Sequence, residues 1–206
     1  MENIYVYEFG DSLYFNLTNR CPNNCEFCLR RFKEGVSGNR LWLTKEPTFE
    51  EVERDLSRFT LSKYREAVFC GFGEPTCNLE MLLTVAKYLK EKGCKTRLNT
   101  NGLGNLVNEG QDVAKLIAPY IDFVSISLNA STAEGYDRIC HSRFGKEAFG
   151  AMLQFAKDCV AAGIDTTTMS VVDLIGRDEI EECEKVVNST GAKLRVRATI
   201  DENTEY

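Results

Sequence analysis

The chain has 206 residues, with 31 acidic against 25 basic side chains and a formal net charge of −6 at neutral pH. This length favours one domain with a substantial core, and the acidic balance argues against broad attraction to nucleic acid or to an anionic membrane. No apolar stretch is long enough to span a bilayer, and no signal peptide is evident at the start. Nine cysteines without such a signal predict reduced thiols and a cytoplasmic location.

Apolar strand-like runs alternate with helical segments, which is typical of βα units and a parallel sheet. Six strands are predicted over residues 13–17, 67–70, 95–99, 123–128, 166–174 and 193–198. An added N-terminal strand within residues 1–11 pairs with the first of them across Gly10 and Asp11. A closed eightfold barrel needs about 250 residues. The predicted fold is therefore α/β, a partial, open (β/α)6 barrel formed by a single domain of residues 1–206.

The predicted helices connect these strands. The first follows Thr48, whose hydroxyl forms a capping box with Glu51. The others cover residues 78–93, 112–118, 146–162 and 178–188, and glycines end two of them. In the helix over 146–162, the predicted buried stripe consists of Phe149, Met152, Leu153, Ala156 and Val160.

The loop over residues 19–47 is too long to be an idle connector, and it holds the most informative motif. Cys21, Cys25 and Cys28 follow C-x3-C-x2-C spacing, with Phe27 directly before the third cysteine. Three such thiolates suit three irons of a cubane iron–sulfur cluster and leave the fourth iron without a protein ligand. A structural zinc site is the alternative, although zinc sites usually supply four ligands and the only histidine, His141, is distant in sequence.

Small and polar residues close the second predicted strand. The glycines of Gly71-Phe72-Gly73-Glu74 let the backbone approach a ligand, and the Glu74 carboxylate can accept hydrogen bonds from a bound ammonium. The alternative is an ordinary strand-to-helix turn.

Polar residues also mark the third and fourth strands. Because side chains alternate between faces, Ser125, Ser127 and Asn129 share one face of the fourth strand, and the intervening apolar residues pack against helices. Asn99 and Asn101 end the third strand and are candidates for ligand contact. The alternative is the polar end of a half-exposed strand.

Together these motifs resemble those of the radical S-adenosylmethionine (radical SAM) enzymes. The cysteine run with Phe27 resembles their cluster motif, residues 71–74 resemble their Gly-Gly-Glu motif, and residues 125–129 resemble their fourth strand. The resemblance runs from about Ser12 to Arg197. Segments 16–22, 41–43 and 70–76 also resemble the short radical SAM proteins described as TatD-associated, which are named for linkage to TatD-type metal-dependent hydrolases.

The resemblance implies a [4Fe–4S] cluster on Cys21, Cys25 and Cys28, with S-adenosylmethionine (SAM) bound to its fourth iron. It implies that Phe27 lies against adenine and that SAM is cleaved reductively into methionine and a 5′-deoxyadenosyl radical. That radical abstracts hydrogen from an unknown substrate, and an electron donor of the flavodoxin or ferredoxin type is required. The implied cofactor-binding residues are Phe27, Gly71, Phe72, Gly73, Glu74, Asn99, Ser127 and Asn129.

Several alternatives stay open. An open barrel suits a protein, peptide or other large substrate, as in the glycyl-radical-enzyme activases, but a small-molecule substrate is equally compatible. A different class is a non-catalytic iron–sulfur redox or structural partner of a TatD-type hydrolase. Arg195 and Arg197 alternate with apolar residues, so they either point into the barrel or form a solvated edge. No role follows from the sequence for Cys70, Cys77, Cys140 and His141.

Overall fold

The computed structural model describes residues 3–198, except for the side chain of Leu174. Its strands are β1 (Val6–Phe9), β2 (Ser12–Phe15), β3 (Gly35–Val36), β4 (Asn39–Arg40), β5 (Glu66–Phe69), β6 (Thr96–Thr100), β7 (Phe123–Ser127), β8 (Thr166–Val172) and β9 (Lys193–Arg197). Its helices are α1 (Phe49–Leu56), α2 (Leu79–Glu91), α3 (Gly104–Val107), α4 (Val113–Ile117), α5 (Ala133–Cys140), α6 (Glu147–Ala161) and α7 (Arg177–Asn188). Residues 1–2 and 199–206, which the single-domain prediction includes, lie outside the described residues.

Seven strands form one sheet in the order β1-β2-β5-β6-β7-β8-β9. Strands β2 to β9 of this order run parallel, and β1 joins β2 as an antiparallel hairpin strand. The strands of this sheet thus lie side by side in the order in which they occur in the chain, and helices lie on every parallel crossover, as in a barrel. The ends of the order, β1 and β9, do not pair with each other within residues 3–198. The prediction of a partial, open (β/α)6 barrel with an added N-terminal strand is confirmed.

The two faces of the sheet differ in polarity because side chains alternate along each strand. Leu98, Val124, Ile126 and Met169 point toward the helices and are fully or almost fully buried in one apolar cluster. Burying side chains of this size stabilises the fold by about 1.5–3 kcal/mol each. The opposite face carries polar residues from β6, β7 and β8 and is left to line an interior space.

Helix α1 begins as predicted. The Thr48 hydroxyl accepts a hydrogen bond from the Glu51 backbone N–H, and the Glu51 carboxylate accepts one from the Thr48 N–H at 3.0 Å. Helix α6 differs from the prediction. Met152 and Ala156 are buried, but Val160 is 39% exposed, and Phe155 and Cys159 are buried instead. The predicted set of buried residues and the observed set both have helical spacing, so periodicity alone could not determine which side of α6 faces the sheet.

Helix α3 and the hairpin β3–β4 were not predicted from the sequence, whereas a short helical segment before His141, at the position of α5, was. Helix α3 follows β6, helix α5 extends the short helical segment after β7, and the hairpin β3–β4 lies inside the long loop of residues 19–47. Within residues 3–198, no helix has the length and apolar character that crossing a bilayer requires.

The capping box gives a direct test of local stability. Thr48→Ala removes the hydroxyl that satisfies the Glu51 N–H, so we expect the free energy of unfolding to fall by about 1 kcal/mol. The measurement is urea denaturation followed by circular dichroism, with Thr84→Ala in the exposed part of α2 as control. Equal losses of unfolding free energy in Thr48→Ala and Thr84→Ala would show that the capping hydrogen bond contributes nothing to stability.

Candidate active site

The carboxyl ends of the parallel strands open into a polar cavity of about 350 Å³. Every residue that the sequence analysis assigned to the cluster or to SAM lines this one cavity. They are Cys21, Cys25, Phe27, Cys28, Gly71, Phe72, Gly73, Glu74, Asn99, Ser127 and Asn129. Residues up to about 110 positions apart in the chain thus meet at the position where (β/α) barrels carry their sites.

Helix α5 holds the cysteine loop in place. The Asn24 N–H donates to the Cys140 carbonyl at 2.9 Å, and the Glu26 N–H donates to the Ile139 carbonyl at 3.0 Å. These carbonyls are at the end of the helix, where no intrahelical donor is available. A third bond joins the Arg143 N–H to the Pro22 carbonyl at 2.9 Å. The loop therefore has a defined backbone path.

The three cysteine thiols are half-buried, and their surroundings favour the protonated form. Burial, assisted by the negative charge of Glu74, raises the pKa of Cys21 to about 12. A hydrogen bond with the Cys140 thiol, followed by burial, raises the pKa of Cys25, and burial raises that of Cys28. The Arg30 guanidinium acts in the opposite direction on all three. Metal ligation takes cysteine as thiolate, so iron must displace these protons.

The donor set fits an iron–sulfur cluster. Within residues 3–198, no three Cys, His, Asp or Glu side chains converge on one point as ligands of a single ion. A cubane cluster does not need such convergence, because each thiolate binds a different iron. The Asn101 side-chain amide also lies 3.8 Å from the Cys21 sulfur, as a donor to a cluster ligand should.

Gly71 and Gly73 are required by packing against the neighbouring strand end. A Cβ on Gly71 would lie 2.1 Å from Asn16 Oδ1, and a Cβ on Gly73 would lie 2.2 Å from the Thr18 carbonyl oxygen. The 70–74 segment therefore lies directly against the segment that leads into the cysteine loop. The two glycines were predicted to allow close approach of a ligand, but the atoms closest to their Cα positions belong to residues 16–20 of the chain itself.

Glu74 is a buried carboxylate with several internal donors. Its Oε1 accepts from the Thr76 N–H, the Thr76 hydroxyl and the Thr100 hydroxyl, at 3.1, 2.8 and 2.8 Å. Its Oε2 accepts from the Asn101 N–H at 2.7 Å. Burial raises the pKa of Glu74, against the opposing effect of these donors. Glu74 thus joins the ends of β5 and β6, and Oε2 retains capacity for one more donor.

The end of β7 is polar as predicted. Ser125, Ser127 and Asn129 line the cavity, whereas Val124, Ile126 and Leu128 are buried on the helix side. Asn129 has a φ of 64°, in the left-handed region that few non-glycine residues adopt. It is 3% exposed, and its Oδ1 has no hydrogen-bond partner among the described residues. This buried oxygen therefore has the capacity to accept a hydrogen bond from a donor inside the cavity.

Further polar groups complete the wall. Asn99 and Cys70 both line the cavity. Burial raises the pKa of the Cys70 thiol, and the Asn99 side chain acts in the opposite direction. Arg195 and Arg197 also line the cavity, from the edge strand β9. Arg195 is exposed and Arg197 is half-buried, so β9 has features of both alternatives. His141 is exposed, and its Nε2 lies 3.2 Å from the Glu26 carboxylate.

Two adjoining cavities share Phe27 with the polar cavity. One, of about 340 Å³, is mainly apolar and lies under the hairpin β3–β4, against Tyr7, Tyr14 and Leu41. The other, of about 590 Å³, lies between α5 and the end of β8 and includes Asn129 and Val172. Phe27 belongs to neither apolar cluster of the core, and Phe72 packs with its ring centroid 5.2 Å from that of Trp42.

Sequence reasoning missed several residues at the site, among them Tyr14, Arg97 and Thr100, which line the cavity. Ser170 lines the cavity from β8, and Asn23 and Tyr136 are joined by a hydrogen bond of 2.9 Å between the cysteine loop and α5. The alternation of β8 could have indicated Ser170. Nothing local distinguishes Tyr136 from an ordinary apolar residue of an amphipathic helix.

The packing at Gly73 predicts a loss of stability on adding one methyl group. Gly73→Ala forces the Thr18 and Arg20 carbonyls away, so we expect the free energy of unfolding to fall by about 1–3 kcal/mol, measured by urea denaturation. Gly150→Ala is the control, because its Cβ meets nothing within 4 Å in the middle of α6. That substitution should stabilise by about 0.5–1 kcal/mol. A Gly73→Ala variant as stable as the parent would contradict the close packing.

Two proteins of one archaeon are similar to this chain in sequence. An uncharacterized protein of Methanocaldococcus jannaschii is 30% identical over 144 residues, which are 68% of this chain and 41% of that protein. A second protein of the same organism, named provisionally as a glycyl-radical enzyme activating enzyme, is 25% identical over 172 residues, or 82% of this chain and 63% of that protein. The chain therefore spans less than two thirds of either relative.

Solved structures share the fold at low sequence identity. The chain matches anSMEcpe with bound AdoMet and the Kp18Cys peptide with a TM-score of 0.66 at 16% identity, covering 91% of this chain and 51% of that one. It matches HydG, a maturase of the [FeFe]-hydrogenase, with a TM-score of 0.64 at 18% identity, covering 92% and 42%. The family model of the radical SAM superfamily matches residues 15–188, which include the cysteine loop and all strands from β3 to β8. This chain belongs to the radical SAM superfamily, whose enzymes use a [4Fe–4S] cluster and SAM.

Proposed function

We propose that this chain is a radical SAM enzyme whose polar cavity holds a [4Fe–4S] cluster and SAM side by side. The observation that carries the proposal is that all three cysteines and all eight predicted SAM contacts line one cavity. When bound, the two cofactors supply a 5′-deoxyadenosyl radical by reductive cleavage of SAM, and that radical takes a hydrogen atom from the substrate. The protein's own task is to bind, to orient and to exclude water.

Each wall of the cavity has a distinct binding task. Cys21, Cys25 and Cys28 hold the cluster. The SAM ammonium donates hydrogen bonds to the backbone at Gly71 and Gly73 and to the remaining lone pair on Glu74 Oε2. On the β7 side, the Ser127 hydroxyl can donate to or accept from the ribose hydroxyls, and the unsatisfied Asn129 Oδ1 can accept from them.

Phe27, the aromatic residue of the cysteine loop, lies between the polar cavity and the two adjoining cavities. Phe27 borders all three cavities and is outside the packed core, which supports a place against the flat face of adenine. Phe72 is the least direct of the predicted contacts. It borders the cavity, but it is 5% exposed and packed against Trp42.

The apolar cavity under the hairpin β3–β4 is our candidate for the substrate side of the site. It shares Phe27, Cys28, Asn99 and Arg197 with the polar cavity, so a group placed there lies next to the SAM space. A protein or peptide substrate could reach it through the unclosed side of the barrel between β1 and β9. Similarity to the provisionally named glycyl-radical enzyme activating enzyme supports an activase role, with a small-molecule substrate as the alternative.

The remaining assignments concern the cellular setting. We propose an electron donor of the flavodoxin or ferredoxin type, because the cluster must be reduced for each cleavage. All nine cysteines are free, which agrees with a reducing, cytoplasmic location. A link to a TatD-type hydrolase rests only on the sequence resemblance. In the alternative of another class, the protein would be a non-catalytic iron–sulfur partner of that hydrolase.

Anaerobic reconstitution tests the proposal. The protein is loaded with iron and sulfide, reduced with dithionite and given SAM, and 5′-deoxyadenosine is quantified by mass spectrometry. We expect product from the parent protein and a loss of at least about 100-fold in Cys28→Ala, because one iron loses its protein ligand. The matched control is Cys183→Ala, which removes a fully buried thiol from α7 and should retain the activity.

The possible results separate the function classes. Product formed without an added substrate would establish radical SAM chemistry and give a readout for substrate screening. Protein that carries its cluster and binds SAM but forms no product would indicate cleavage that requires the substrate or partner. A cluster without SAM binding would overturn the enzymatic proposal and favour a redox or structural iron–sulfur protein.

A further inference from the structure

Two arginines of the edge strand β9 line the polar cavity. Arg195 pairs in register with Ser170 of β8, which lines the same cavity. Arg197 pairs with Val172, which lines both adjoining cavities. Paired residues of neighbouring strands project to the same face of a sheet, so the register and the cavity walls agree. The two arginines are about 6.6 Å apart along the strand, a spacing that their long side chains can span to reach one ligand.

The charges at the cavity wall favour an anionic ligand. Arg97 also lines the cavity, but its Nε donates to the buried Glu66 carboxylate at 3.1 Å. The carboxylate of Glu74 already accepts four hydrogen bonds from residues of the chain. Arg195, in contrast, forms no ion pair among residues 3–198. A ligand in this part of the cavity therefore meets a cation that no described carboxylate neutralises.

Arg197 lies at the boundary between the polar cavity and the apolar cavity under the hairpin β3–β4, and it lines both. The apolar cavity has a volume of about 340 Å³ and aromatic walls that include Tyr7, Phe9 and Tyr14. Sites for small organic molecules have volumes of about 300–1,000 Å³ and combine apolar walls with a few polar groups that fix orientation. An apolar group in this cavity would have Arg197 at its polar end.

We propose that Arg195 and Arg197 bind an anionic group of the substrate, a carboxylate or a phosphate, while the adjoining apolar part of the substrate occupies the cavity under the hairpin β3–β4. This inference rests on the proposed function, because it concerns the molecule that the SAM-derived radical attacks. The planar guanidinium of arginine donates two parallel hydrogen bonds to the oxygens of either group, which fixes its orientation as well as its position.

The carboxylate of SAM is the competing anion for these arginines. The proposed SAM contacts come from the cysteine loop and from the ends of β5, β6 and β7, and β8 separates β7 from β9 in the sheet. Strand β9 is thus outside the set of elements proposed to bind SAM. For this reason we assign its arginines to the substrate, and the experiment measures SAM affinity alongside that of the probes.

The test is anaerobic isothermal titration calorimetry of reconstituted protein saturated with SAM, with the cluster kept oxidised so that SAM is not cleaved. The probes are phenylacetate and phenyl phosphate, with neutral phenylacetamide and inorganic phosphate for comparison. We expect phenylacetate to bind about tenfold more tightly than phenylacetamide, because only the carboxylate is charged. Phenyl phosphate should bind at least about tenfold more tightly than inorganic phosphate, because its ring is buried in the apolar cavity. The tighter of the two anions identifies the group that the site prefers.

Substitutions on β9 test the assignment to the arginines. Arg195→Gln and Arg197→Gln should each lower the affinity for the anionic probes about tenfold and leave that for phenylacetamide and SAM unchanged. Arg197→Lys keeps the charge but loses the two-pronged geometry, so part of the affinity should return. The matched control is Lys193→Gln, which removes a cation from the same strand about 13 Å from Arg197 and should change nothing. Circular dichroism checks that each variant is folded.

The other outcomes overturn the inference in distinguishable ways. Weaker SAM binding in Arg195→Gln and Arg197→Gln, with unchanged affinity for the probes, would assign the arginines to the SAM carboxylate. A parent protein that binds SAM but binds neither anionic probe, or binds phenylacetate no better than phenylacetamide, would overturn the inference and leave the proposed function intact. A parent protein that carries its cluster but binds no SAM would overturn the proposed function and this inference with it.

Discussion

The attachment of the cysteine loop to the end of helix α5 is the contact on which the site depends. A loop that follows a strand has no ladder partners of its own, and three thiols on an unfixed loop would not present a common set of ligands. The terminal carbonyls of α5 receive two N–H groups of this loop, so each element satisfies the free backbone groups of the other. The arrangement joins the first strand of the barrel to the connection that follows β7.

The polarity of the barrel interior follows from the period of the strands. On β6, β7 and β8 the apolar residues Leu98, Val124, Ile126, Met169 and Val171 pack under the helices, and the intervening Asn99, Ser125, Ser127 and Ser170 line the cavity. A closed barrel of this size would fill its interior with side chains. The open sheet instead leaves a polar space that can hold two cofactors, with buried groups such as Glu74 and Asn129 fixed at its rim.

Local sequence determined much of the architecture and the composition of the site. The alternation of strands and helices, the hairpin at Gly10-Asp11, the capping box at Thr48 and the inward face of β7 are all short-range patterns, and each is present as predicted. The three cysteines proposed to hold the cluster, and their aromatic neighbour, were predicted from their spacing, because metal ligation from one loop is itself a local constraint.

Tertiary structure alone decided which residues meet across the fold. Glu74 is engaged by Thr76, Thr100 and Asn101, and Gly71 and Gly73 are needed by the neighbouring strand end, which no local pattern could reveal. The buried flank of α6 was likewise undetermined, since two stripes of equal periodicity were available. Cys140 shows the limit most clearly: in the sequence it is one of several cysteines on a helix. Only the return of α5 over the loop, a contact between residues more than a hundred positions apart, brings its backbone carbonyl to the Asn24 N–H.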